Sequence, residues 1–344
     1  MVNTSKYALR SSTRPVLIEP RNVPVSPPVL YQVQFLAGLG HIGADVPLDR
    51  TARQRILQRR DHNSGLRWIW ASDGEVPPNA VKTGEGCYLG RAFHVGSVTP
   101  GRVDPEKKAC CIPWGGDEHL KKVYEVLCTE GEFVRVTPDS TEGLLRATTA
   151  GSSEQGEPLF IGRVWCDGGW VSGKVQRSHG VCYIGYRGKE MAYPEYEVFV
   201  GVGEPLQDEH FWVNNVLSMP QDASEFESCH VGRARHRNSL LPGTVDLVKL
   251  QCHVTWGSEA HSKSRFQYLY NCRGRFVPTK DDHIPVGAVQ GGFSDFGEPL
   301  FIGRVQVGMK MLVGKVQPSH KVCYVPMFGG ELKYSEYEIL VLDL

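Results

Sequence analysis

Gly38-Leu39-Gly40-His41-Ile42-Gly43 has the spacing of a dinucleotide-binding glycine loop and follows the strand-like run YQVQFLA. A pyrophosphate there needs a following helix whose N-terminus faces it. Pro47 stands four residues on and no strand–helix–strand unit follows, so the stretch reads as a tight turn or a chance match. Gly168 to Lys174 is spaced like a phosphate loop, but Val175 stands where Ser or Thr would hold Mg²⁺. The ten cysteines form no C-x-x-C, and no His/Cys cluster has zinc spacing. There is no G-x-S-x-G, no H-E-x-x-H and no Ser-His-Asp arrangement that the sequence supports. The expectation is a non-enzyme with no cofactor and no metal.

The elements that would position any site come in repeats. Four Gly-Arg dipeptides stand in matching text: CYLGRAF (87–93), LFIGRVW (159–165), CHVGRAR (229–235) and LFIGRVQ (300–306). Their arginines, Arg91, Arg163, Arg233 and Arg304, are 72, 70 and 71 residues apart. Ten residues after each lies a glycine (Gly101, Gly173, Gly243, Gly314), and nineteen after it a cysteine (Cys110, Cys182, Cys252, Cys323). Thirty-three after it an aromatic residue opens a strand-like run (Tyr124, Tyr196, Phe266, Tyr337). A fixed period of this length marks a repeat architecture.

The copies alternate. The first and third share GRA, His94 and His236, and Pro-Gly at 100–101 and 242–243; the second and fourth share GEPLFIGRV, GKVQ and VCY. Alternating branched and aromatic residues read as strands, Pro-Gly reads as a turn, and no stretch of the repeats sustains a helical period. A unit of about 70 residues is small to bury a core, whereas a pair would bury about 68–70% of its surface. The expected fold is all-β in two domains, residues 66–200 and 210–344, each a pair of repeats, with 201–209 as linker. The matched cysteines read as small buried thiols. Each Gly-Arg arginine reads as a strand residue paired with an acid such as Glu118, Glu190 or Glu331.

Composition excludes some partners. Among 344 residues, 38 basic and 38 acidic side chains cancel, which argues against a general nucleic-acid binder. No apolar run approaches a membrane span, and the first 30 residues lack a signal-peptide core. A cytoplasmic location, or secretion by a route without a signal peptide, is expected. Residues 1–65 hold nine basic and four acidic residues and six prolines, which reads as a loosely ordered basic arm.

WASDGEVPPNAV (70–81), GEPLFIGR (156–163 and 297–304), SGKV and VGKV (172–175 and 313–316), and YEVL, YEVF and YEIL (from 124, 196 and 337) resemble the DM-nine repeat family. The resemblance covers about 280 residues, all after the N-terminal arm. It implies two tandem repeats interlocked as an antiparallel β-sandwich with pseudo-twofold symmetry, as in mannose-binding lectins and the lectin part of natterin-like proteins. In such lectins an acid before the Gly-Arg strand and the lysine of the Gly-Lys step bind sugar hydroxyls. The matching positions here are Asp295 with Lys315 and Glu154 with Lys174. A carboxylate accepts and an ammonium donates, which suits vicinal hydroxyls. Lys82 and Arg102 are two cations at those offsets, and Ser224 and Thr244 carry no charge. Glu190, Glu331 and Arg102 are supporting candidates; the bland alternative makes Lys174 and Lys315 exposed turn residues. The implied partners are mannose-type glycans of microbial surfaces, recognised in innate immunity, and a second copy in a homodimer. The alternative is an intracellular interaction protein whose repeats have lost sugar binding.

Overall fold

The computed structural model describes residues 66–136, 142–201, 211–214, 225–226, 229–270 and 272–344. The basic arm with its Gly38–Gly43 loop, residues 202–209 of the expected linker, and Ser224 lie outside the described residues.

Each repeat is an antiparallel four-stranded meander with a return strand. In repeat one, Cys87–His94, Ser97–Asp104, Ala109–Trp114 and Asp117–Lys121 follow one another, and Val123–Leu127 returns to pair with Cys87–His94. Repeat two runs Pro158–Cys166, Gly169–Gln176, Val181–Tyr186 and Lys189–Tyr193, with Tyr196–Gly201 returning. Repeats three and four copy this from Cys229–His236 and from Pro299–Val307. An outer strand pairs with each return strand: Trp68–Ser72, Gly131–Val136, Phe211–Asn214 and Gly274–Lys280. The two repeats of a pair join last strand to last strand, through Lys189↔Asp117 and through Glu259↔Gly330. Two 14-stranded sheets result, and each reads the same from either end. The strands of one lie within 68–201 and those of the other within 211–342.

The pairs interlock. Thr149–Ser152 pairs with Pro158–Cys166 of its own repeat and, at Val98↔Ser152, with the partner repeat. Gln290–Phe293 does the same at Leu240↔Phe293. One core lies inside each repeat, and a further cluster of Leu89, Leu127, Ile161 and Phe199 is shared between repeats one and two. The fold is the all-β, paired architecture that the repeats predict.

The repeated columns have steric causes. Cys110, Cys182, Cys252 and Cys323 are free and fully buried. Burial pushes the Cys110 and Cys182 thiols well up. A β-carbon on the glycine before each Gly-Arg arginine would stand 3.2, 2.7, 3.0 and 2.7 Å from these four sulfurs in order. Glycine and cysteine therefore recur together because one leaves the space that the other fills. The glycine ten residues after each arginine is no turn residue. Gly101, Gly173, Gly243 and Gly314 lie inside strands, where a β-carbon would fall 1.8 to 2.2 Å from a neighbouring carbonyl oxygen. The Pro-Gly steps at 100–101 and 242–243 are thus strand interiors. Pro100 is tolerated because the ladder towards Ala109–Trp114 stops at Arg102↔Cys111, so no N–H is required of it there.

Trp70 belongs to the first sheet's edge but packs in the second sheet's core, edge-on to Phe301 at 5.1 Å. Its carbonyl accepts from Gly287 N at 2.9 Å, and Ser72 Oγ accepts from Ile284 N at 2.9 Å.

Gly314→Ala drives a β-carbon to 1.8 Å from the Tyr324 carbonyl. It should cost about 2–4 kcal/mol in urea unfolding, as overpacking does. Gly169→Ala, where nothing lies within 4 Å, should leave the midpoint nearly unchanged.

Candidate functional site

The Gly-Arg arginines do not meet Glu118, Glu190 or Glu331. Each meets the residue 34 positions on, brought opposite by the return strand: Arg91 Nε to Glu125 at 2.7 Å, Arg163 to Glu197 at 2.7 Å, Arg304 to Glu338 at 2.7 Å, and Arg233 to Gln267 at 2.8 Å. Each guanidinium also covers an aromatic ring of the outer strand, Trp68, Phe133, Trp212 or Phe276, at 3.7 to 4.3 Å. These arginines clamp outer strand to meander.

Glu118, Glu190 and Glu331 instead take the bases at the expected sugar positions. Arg102 meets Glu118 at 2.9 Å, Lys174 meets Glu190 at 2.9 Å, and Lys315 meets Glu331 at 3.0 Å. Arg102 therefore has an acceptor, sixteen residues on. The lysine side chains are 9% and 8% exposed and lie in strands, so the alternative of exposed turn residues does not hold. The other oxygen of each carboxylate crosses to the partner repeat and accepts a backbone N–H: Gly188 at 2.9 Å, Gly116 at 2.7 Å and Ser258 at 3.0 Å. Burial pushes the Glu118 carboxyl up, but the Gly188 N–H and Arg102 outweigh it and hold the group below its ordinary value. In repeat three Thr244 and Ala260 replace base and acid together, and Thr244 Oγ1 exchanges hydrogen bonds with the backbone of Val313 at 2.8 and 2.7 Å.

Asp295 and Glu154 lie elsewhere, each beside a corner of the odd repeat of its pair. Asp295 accepts from Ser239 Oγ at 2.5 Å and from Trp256 Nε1 at 3.1 Å. Around it, His236 stacks on His261 at 4.0 Å, Lys263 Nζ donates to His236 Nδ1 at 2.8 Å, and Arg237 covers the Trp256 ring at 3.9 Å. Repeat one builds the same corner from His94, Trp114, His119 and Lys121. His94 lies 4.9 Å from Trp114 and 4.3 Å from His119. The exposed Glu154 packs over the turn at Gly96, and its charge acts on His94. A carbonyl accepts from His119 Nε2 at 3.0 Å and from His261 Nε2 at 3.1 Å, which puts the proton on Nε2 in both. Burial, Lys121 and His119 lower the His94 pKa to about 4, with Glu154 opposing. Burial, Lys263, His261 and Arg237 lower that of His236. Two imidazoles, an ammonium, an indole and a carboxylate thus meet at each corner.

The structure does not bring Asp295 to Lys315 or Glu154 to Lys174. Lys315 approaches the corner from behind, through the Thr255 carbonyl at 2.9 Å, one residue from Trp256. The corner residues recur 142 positions apart, His94/His236, Trp114/Trp256, His119/His261 and Lys121/Lys263. That signal was open to sequence reading, which used only the first pair. Among the described residues, no three His, Cys, Asp or Glu side chains are grouped to hold a metal ion.

Fold and corners define a protein of tandem all-β repeats interlocked in pairs. The chain belongs to the DM9 repeat family, whose model matches residues 84–193 and 222–334, well over half its length. This is not a known enzyme family. Similar proteins include Natterin-3 of Thalassophryne nattereri, 39% identical over 80 residues, and Natterin-4 of the same organism, 27% identical over 166 residues. These matches take in 23% and 46% of this chain, and span 21% and 38% of those proteins. The nematode sperm cell motility protein MFP2B is 14% identical, with a TM-score of 0.31 over 81% of this chain and 98% of that one. At that score the likeness carries no argument.

Removing one partner of a buried ion pair leaves the other charged and unmatched. Lys315→Ala or Glu331→Ala alone should cost about 3–5 kcal/mol. The double variant Lys315→Thr/Glu331→Ala, which copies repeat three, should lose much less than the sum in a urea-denaturation cycle. For His94 the folded pKa is about 4 against an ordinary 6.5, so the unfolded chain takes up this proton first as pH falls. Its contribution to stability is full above about 6.5 and is lost towards about 4. His94→Gln should flatten that limb of a plot of denaturation midpoint against pH.

Proposed function

We propose that the protein is a lectin-like carbohydrate binder that takes mannose-type glycans at its two odd-repeat corners and serves recognition of microbial surfaces. DM9 repeats and natterin-like relatives support a lectin-like fold. The observation that carries the reading is Asp295 of repeat four, bonded to Trp256 at the Trp–His–His–Lys corner of repeat three, with Glu154 over the Gly96 turn beside the matching corner of repeat one. The carboxylate accepts from sugar hydroxyls, the ammonium donates to them, and the indole meets the C–H face of the ring. Lys174 and Lys315 serve the site from beneath, by bracing the strands that carry it.

A glycan array and retention on mannose resin test this. Asp295→Ala and Glu154→Ala should each weaken their own corner by about tenfold or more, and the double variant should pass through the column. Losses from Lys174→Ala and Lys315→Ala should track loss of stability. Wild-type retention by the Glu154→Ala/Asp295→Ala protein would reject the corners. An array without a single hit would leave the interaction-protein reading standing.

A further inference from the structure

Repeat two carries an exposed indole, Trp165, that neither the fold nor the corners use. Trp165 is 60% exposed, and its cross-strand partner is Trp170, edge-on at 5.4 Å. The same cross-strand position holds Phe93 and Val98 in repeat one, Arg235 and Leu240 in repeat three, and Gln306 and Met311 in repeat four. Since Arg and Gln fill the place of Trp165 on the same backbone, the fold does not call for an indole there. The two edge-on indoles together make an aromatic patch that reaches solvent, and such patches mark ligand sites.

The surroundings say which kind. Arg163 lies two residues back on the same strand face, about 7 Å along it. Its guanidinium is sandwiched between Phe133 at 3.7 Å and Trp170 at 4.2 Å and is bonded to Glu197 at 2.7 Å. Arg163 and Glu197 keep 20% and 22% of their side chains exposed, whereas the matching Arg304 of repeat four keeps 5%. A flat apolar floor thus borders a donor and an acceptor that are held in place and still reach solvent. We propose that Trp165 and Trp170 form a further subsite for a pyranose ring, which lays its C–H face on Trp165 and turns hydroxyls to Arg163 and Glu197. This rests on the carbohydrate-binding reading and adds a third point of attachment to the two corners, where linked weak sites gain avidity.

The full chain labelled with 5-fluorotryptophan has seven indoles, so fluorine NMR reports this platform and both corners in one titration. Trp→Phe variants at 114, 165 and 256 assign the resonances. With methyl α-D-mannopyranoside and methyl β-D-glucopyranoside as probes, the Trp165 resonance should shift saturably with at least one of them. Trp165→Ala should weaken binding of that glycoside by about tenfold, while Trp165→Phe keeps most of it. Shifts at Trp114 and Trp256 with Trp165 unmoved would overturn the platform and leave the corners intact. A shift at Trp165 alone would support the platform and overturn the corners. If no indole moves with either glycoside, both fall.

Discussion

A carboxylate buried at the seam between two repeats holds each pair together. The last strands of the two meanders meet at one residue pair, Lys189↔Asp117 in the first sheet and Glu259↔Gly330 in the second. Backbone pairing that short cannot fix the angle between two meanders. Glu118, Glu190 and Glu331 reinforce it alongside the interlocking strands, with one oxygen on a base of their own repeat and the other on an N–H of the partner's turn. Ions buried in this way offset their desolvation only when a counter-charge and hydrogen bonds stand close, so the arrangement tolerates little variation in geometry. Repeat three shows the other stable solution, in which base and acid are absent together and a threonine bonds the backbone.

That seam explains a division of labour. Odd and even repeats share a backbone, but the strand-end corner that holds His94, Trp114, His119 and Lys121 in repeat one holds Cys166, Tyr186, Met191 and Tyr193 in repeat two. In repeat four it holds Val307, Met327, Leu332 and Tyr334. The polar corners belong to odd repeats, and the carboxylate arms that reach them belong to even ones. Neither kind of repeat completes a corner alone, which gives the A-B-A-B order a chemical reason besides the need for a larger core.

Repeat period, all-β class and the glycine, cysteine and aromatic columns were legible in the sequence because they are steric and local to one repeat. Pairings of acid with base were not. Arg91 meets Glu125 and Arg102 meets Glu118, and both follow from strand order and register, which a list of offsets does not contain. The co-loss at Thr244 and Ala260 held the clue to the second of these pairs. Pro-Gly was misread as a turn because the residue types are the same whether glycine relieves a backbone dihedral or makes room for a neighbouring carbonyl. Glu154 and Asp295 stood out as acids, but their reach across the interlock to the other repeat is a property of the pair, invisible in either copy by itself.

Trp70 gives the chain a thermodynamic unity that its repeat arithmetic conceals. An indole rooted in the first sheet and lodged against Phe301 is part of the second half's solvent-shielded interior. When either half opens, the other is left with an empty socket or a bare ring. Heat absorbed in a calorimeter would therefore be shared across both sheets in one transition.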